Sequence, residues 1–139
     1  MDILSALGVL HEGINSELQK KLWDVDIKLS CGHVWLLTVV YQNGGTVEIR
    51  ELVNALKKKK TTISEMVATL EKKGLLEKFQ SSRDKRIYCV KTTDKSEELK
   101  SRIQETVKEI AFKIMLDISK DEEEVVSKIM MKLINNIEK

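Results

Sequence analysis

The sequence predicts a mainly α-helical fold with one short β-hairpin set among its helices. Three observations carry this. No proline and only six glycines occur in 139 residues, so long helices meet few interruptions. Apolar residues recur at spacings of three and four along most of the chain. The stretch that alternates instead surrounds a polar tip, Ser81-Ser82-Arg83-Asp84-Lys85. A chain of this length fits one domain and can bury a core of its own.

The first helix follows from Leu7, Leu10, Ile14, Leu18 and Leu22, with Glu12, Glu17, Gln19 and Lys20 between them. Ser30 is a candidate N-cap for a second helix through Val34, Trp35, Leu36, Leu37, Val39, Val40 and Tyr41, closed by Asn43-Gly44-Gly45. Thr46 and Val47 suit a short extended piece before a brief third helix carrying Ile49, Leu52, Val53 and Leu56. A fourth helix, about Lys60 to Lys73, buries Ile63, Val67 and Leu70, leaves Thr61, Thr62, Glu65, Thr69 and Lys72 outward, and ends at Gly74. Leu75 to Gln80 and Arg86 to Thr92 read as the two strands of a hairpin. Thr93 then caps a long helix striped by Leu99, Ile103, Val107, Ile110 and Ile114. Ser119 and Glu122 form a capping box for a last helix bearing Val125, Val126, Ile129, Met130, Leu133, Ile134 and Ile137. The first helix and the last two are too apolar on one face to stand alone, which predicts that a second chain covers them.

Charge is unevenly placed. Lys57 to Arg86 holds ten Lys or Arg against four acids, a local +6, although the whole chain is only +2. Such a patch suits a polyanion, and nucleic acid is the commonest one for a domain of this size. Two helices joined by a turn and followed by a hairpin make the winged helix-turn-helix plan, in which the second helix enters the major groove. Thr61, Thr62, Ser64 and Thr69 are short hydroxyl side chains that allow close approach to DNA, and Glu65 can accept from a cytosine amino group. An ordinary solvated helix face would look the same. Lys57 to Lys60 argue for the anion, because lysines at a helix start oppose its dipole unless a phosphate shares the site; for Lys57 and Lys58, a place at the end of the third helix explains them equally well. At the hairpin tip Arg83, Lys85 and Arg86 can reach a minor groove or its phosphates, with Asp84 bracing the turn through Arg86.

Residues 30–99 resemble the winged helix of the MarR (multiple antibiotic resistance regulator) family. The likeness rests on Ser30 through Leu37, Thr46 through Leu56, Thr61-Thr62-Ile63-Ser64, Leu70 through Leu76, and above all Asp84-Lys85-Arg86 followed by Val90-Lys91-Thr92-Thr93. It implies a single domain over 1–139, with the winged helix-turn-helix at 30–92 and dimerisation helices at 1–29 and 93–139. It also implies that Lys59, Lys60, Thr61, Thr62, Ser64, Glu65, Thr69, Arg83, Lys85 and Arg86 face DNA. Three positions depart from the family pattern: Lys58 replaces an aliphatic residue, Lys59 a Ser or Asp helix cap, and Ser96 a common glycine.

Proteins of that family are homodimers that bind pseudo-palindromic double-stranded operators, usually repress, and let go when a ligand or oxidant alters the spacing of their recognition helices. That behaviour is expected here. Trp23, His33, Trp35 and Tyr41 are candidates to line an effector cleft, with core or interface packing the favoured reading of the aromatics. Cys31, near a helix start that favours a thiolate, is a candidate redox thiol; Cys31 and Cys89 read otherwise as buried small residues, in no metal-ligand or disulfide pattern. His11 and His33 stand apart with no nucleophile, phosphate loop or metal spacing nearby, so neither catalysis nor a cofactor is expected. The rival reading is a winged-helix protein-interaction module that does not bind DNA. No apolar run is long enough to span a bilayer and no signal peptide opens the chain, so a cytoplasmic protein without membrane partners is expected.

Overall fold

The computed structural model describes residues 1–138. Its elements run α1 (Ile3–Asp24), α2 (Cys31–Gln42), β1 (Thr46–Glu48), α3 (Ile49–Leu56), α4 (Lys60–Lys72), β2 (Leu76–Gln80), β3 (Tyr88–Thr92), α5 (Asp94–Ile114) and α6 (Lys120–Ile137). This is a mainly α-helical winged helix flanked by helices from both termini.

The boundaries have local causes. Asp2, which the apolar pattern did not point to, caps α1 by accepting from the Ser5 amide. Ser30 caps α2 through the His33 amide. Thr93 and Ser119 close capping boxes on α5 and α6, with Ser96 and Glu122 as the reciprocal partners. Ser96, one of the departures from the family pattern, is thus a working part of the cap. Its side chain is buried, and its carbonyl accepts from the Tyr41 hydroxyl at 2.6 Å. Burial, with the Glu97 carboxylate second, pushes the Tyr41 phenol up to about 12. It therefore stays a donor across the physiological range.

The sheet has three strands where a two-stranded hairpin was expected. Thr46–Glu48 adds to the hairpin as β1, pairing Thr46 with Lys91, Val47 with Val90 and Glu48 with Cys89, in the order β1-β3-β2. The wing strands pair antiparallel from Leu76↔Thr92 to Gln80↔Tyr88. The second strand begins two residues later than the alternation implied, because Arg86 is held in the turn by Asp84 and the Ile87 amide donates back to the Asp84 carbonyl.

The core joins α2, α3, α4 and the sheet through Leu36, Leu37, Val40, Leu52, Ile63, Val67, Leu70, Leu76 and Val90, all at or near zero exposure. From the flanking helices, Leu18, Leu22, Ile103 and Ile110 also enter it. Ile14, Leu99 and Val107 pack partly buried against it, but other apolar residues of those helices are uncovered: Leu10 and Ile114 are exposed, and α6 has no buried residue.

Gly45 has φ +94°, and a Cβ there would lie 3.0 Å from the Thr92 hydroxyl. Gly45→Ala is expected to lose about 1–2 kcal/mol from the left-handed backbone alone, lowering Tm by at least a few degrees in a thermal melt. An unchanged melt would refute the strain argument.

Candidate nucleic-acid interface

The four-lysine run spans the joint between α3 and α4. Lys57 is the C-cap of α3 in the left-handed conformation, with φ 55°, a place usually given to glycine. Its ammonium lies 3.1 Å from the Glu138 carboxylate at the end of α6. Lys58 is exposed in the turn. Lys59 is the N-cap of α4 and Lys60 its first residue, and no side chain accepts from the first amides of that helix. An uncapped helix start flanked by two lysines offers both open N–H donors and positive charge to an anion.

Along α4, Ile63, Val67 and Leu70 are buried in the core, whereas Thr61 and Glu65 are exposed. Thr62, Ser64 and Thr69 are half-buried at the edges of the outward face. The Thr69 hydroxyl donates to the Glu65 carbonyl at 3.1 Å, so part of its hydrogen-bonding capacity is used within the helix. Gly74, with φ +75°, ends the element by turning the chain into β2.

At the wing tip Arg86 donates from Nε and its terminal nitrogen to the two Asp84 oxygens, each at 3.1 Å, and its amide donates to the same carboxylate at 3.0 Å. Those bonds, the side-chain pair foremost, hold the Asp84 carboxyl below the usual carboxylate range. Although paired, the Arg86 side chain is 92% exposed. Arg83 and Lys85 are exposed as well, and among the described residues neither they nor Lys59 and Lys60 form an ion pair.

Between the wing and the two helices runs a groove of about 300 Å³, lined by Arg50, Lys60, Ser64, Lys78, Arg86 and Tyr88 above an apolar floor. Lys78 lies over the Tyr88 ring at 4.6 Å. Arg50, Lys78 and Tyr88 were not singled out from the sequence. For Lys78 and Tyr88 the signal is strand register: Lys78 and Gln80 share a face with Tyr88, and that face meets Lys60 and Ser64 of α4 across the groove.

The four aromatic candidates do not share one cavity. Tyr41 is buried at the end of α2, eight residues or about 12 Å of helix from His33 at its start. Trp23 is exposed at the end of α1 beneath the Lys28 ammonium, and Trp35 packs against the core. Burial first, and then Lys73, lower the His33 pKa, so this ring is neutral at physiological pH. The Cys31 thiol is half-buried, closer to the small-residue reading than to a helix-start thiolate. It points back to the Asn15 carbonyl at 3.2 Å, and burial raises its pKa. Burial raises Cys89 as well, with Glu48 and Glu51 adding to it. Among the described residues no group of His, Cys, Asp and Glu could hold a metal ion, and no helix is long and apolar enough to cross a membrane.

A helix-turn-helix backed by a basic wing defines a winged-helix protein of the DNA-binding class, and a family model for a winged helix DNA-binding domain matches residues 29–96. A MarR protein from Peptoclostridium difficile is similar over 99% of this chain and 88% of its own, at 32% identity and a TM-score of 0.84. The chain belongs to the MarR family of transcriptional regulators. A MarR family regulator from Listeria monocytogenes, solved with a 26mer DNA, is similar at 25% identity and a TM-score of 0.85, over 99% of this chain and 89% of that one. A mutant MarR from E. coli complexed with operator DNA shares the fold at 17% identity and a TM-score of 0.78, over 93% and 91% of the two chains. No curated protein matches the chain.

Proposed function

We propose that this chain is a homodimeric, sequence-specific repressor that binds a pseudo-palindromic operator and is released by a small ligand. The observation that carries this reading is the uncapped start of α4, flanked by Lys59 and Lys60 and sharing a groove with Arg86 of a wing whose Arg83 and Lys85 form no ion pair among the described residues. Thr61, Thr62, Ser64 and Glu65 read base edges, while Lys59, Lys60, Arg83, Lys85 and Arg86 hold phosphates or a minor groove. Thr69 serves at the end of that face. The DNA complex of the similar Listeria protein supports DNA as the partner. Half-sites lie about 10 bp apart, one turn of the duplex.

The uncovered apolar faces of α1, α5 and α6 support the dimer. The Cys31 thiol donates to the Asn15 carbonyl at 3.2 Å and burial raises both thiols, which weighs toward a ligand rather than an oxidant as the release signal. Trp23, His33 and Trp35 can contact an effector only where a partner chain or a shift of α1 completes a cleft, and Tyr41 is committed to the core.

Fluorescence anisotropy on DNA from upstream of the protein's own gene, against a scrambled duplex, tests the reading. Selective binding that weakens with salt is expected. Arg83→Ala and Lys85→Ala should weaken binding on all sequences and flatten its salt dependence by about one unit each, whereas Thr62→Ala and Glu65→Ala should change which sequences are preferred. Binding to neither duplex at concentrations where the dimer is intact would leave an operator elsewhere or the protein-interaction module, and four variants that bind like the parent would overturn the site assignment.

A further inference from the structure

The two ends of the recognition helix are tied to different C-terminal helices. At its exit, the carbonyls of the C-cap Lys73 and of Gly74 just beyond α4 are taken by side chains from the N-cap and first turn of α5. The Thr93 hydroxyl donates to the Gly74 carbonyl at 2.6 Å, and the Lys95 ammonium donates to the Lys73 carbonyl at 2.9 Å. Helix ends usually leave such acceptors to water or to a glycine motif, and a cation there also meets the negative end of the helix dipole. The clamp has a rigid base, since Tyr41 from α2 donates to the carbonyl of Ser96, which closes the cap of the same turn. At the entry, the Lys57–Glu138 pair ties the turn before α4 to the tip of α6.

We propose that Thr93, Lys95 and Glu138 are positioning residues for DNA recognition, fixing the angle of α4 against α5 and α6 and thereby the spacing between the two recognition helices. This rests on the operator-binding reading above. None of the three lies on the outward face of α4 or on the wing. Their contacts are solvent-exposed and individually weak, which suits adjustment of an angle better than support of the fold. A movement of α5 or α6 would reach α4 through these three bonds, which gives the coupling a physical carrier.

Two measurements on the full chain test it, using Lys95→Met, Thr93→Val, the hydroxyl-retaining Thr93→Ser, and Glu138→Gln. The first is amide hydrogen exchange of the free protein. Amides 73–75, which bond back to the last turn of α4, should exchange several-fold faster in Lys95→Met and Thr93→Val, and at the parental rate in Thr93→Ser. The second is anisotropy on the sequence that the parent selects from a random pool, and on the same duplex with one base pair inserted at its centre. One base pair turns the half-sites by about 35°, and the parent should bind the altered duplex about tenfold more weakly. In Lys95→Met, Thr93→Val and Glu138→Gln that penalty should fall below about threefold, with Thr93→Ser restoring it. In the first two the affinity for scrambled DNA should stay unchanged, which a phosphate-contacting role would not allow. Selective parental binding with an undiminished spacing penalty in all three, or parental exchange at amides 73–75, overturns the positioning role alone. A parent that selects no sequence overturns the operator reading and the positioning role together.

Discussion

Ile129→Glu is expected to convert the protein to a monomer and to lower operator affinity by at least 100-fold, while the winged helix stays folded. The reason lies in α6, which has 18 residues and buries none of them. In proteins a helix draws most of its stability from packing an apolar face rather than from propensity. Val126, Ile129, Leu133 and Ile137 make such a face at spacings of three and four, and Ile129 is 46% exposed. Further apolar residues stand uncovered nearby in sequence or on α1: Ile3, Leu4, Val9, Phe112, Ile114, Leu116 and Ile118. Patches of this extent mark an interface. In a twofold dimer the substitution enters the interface twice, and each carboxylate must be buried unpaired or push the helices apart. The core of the reading unit, around Leu37, Leu52, Ile63 and Leu70, does not include α6, so helical content and the main unfolding transition should largely persist. The affinity falls because a monomer engages one half-site and loses the gain from linking two. Analytical ultracentrifugation at micromolar concentration checks the mass, and anisotropy checks the DNA. A dimer of parental mass with parental affinity would remove α6 from the interface.

Most of the helical framework was readable because its signals are local. Ser30, Thr93 and Ser119 each sit one residue before a helix and bond to its first turn, so residue type and the apolar stripe together locate the start. Signals that need distant partners were weaker. Thr46 and Val47 looked extended, but nothing near them announces that their partner is Lys91 and Val90. Lys57 occupies a left-handed cap with no glycine to mark it, stabilised from 81 residues away by Glu138. For Cys31 the two readings drew on different ranges: its place at a helix start is local, whereas the half-burial against Asn15, on the side of the favoured small-residue reading, comes from the packing of α1 on α2. On α4 the inward residues Ile63, Val67 and Leu70 followed from period alone, whereas Thr62 and Thr69, read as outward, are half-buried. The groove with Arg50, Lys78 and Tyr88 did not follow from period, because it exists only once the wing folds back toward α3 and α4.

Arg86→Ala should weaken binding to every duplex by more than one lost phosphate contact accounts for, and Asp84→Ala added to it should restore part of the loss. Arg86 carries two tasks at the wing tip. It is exposed enough to meet DNA, and its two-pronged bond to Asp84 neutralises a carboxylate that would otherwise face phosphates. Removing the guanidinium therefore subtracts an attraction and uncovers a repulsion. The salt dependence should flatten by about one unit for the lost cation. The further loss should vanish in the double variant, giving a non-zero coupling in the cycle. Asp84→Ala alone should cost less, since Arg86 remains positive though no longer braced. The pH dependence has a definite sign. Because its folded-state pKa is lowered, the Asp84 pair contributes above the ordinary aspartate pKa of about 3.9 and is lost as pH falls through the depressed value. Wing bracing by this pair should thus be constant between about pH 5 and 8, and binding changes in that range must come from other groups. Measuring the four proteins of the cycle against one duplex at several salt concentrations decides it. A double variant no better than Arg86→Ala would mean that Asp84 does not face the phosphates, and that the wing meets DNA through Arg83 and Lys85 instead.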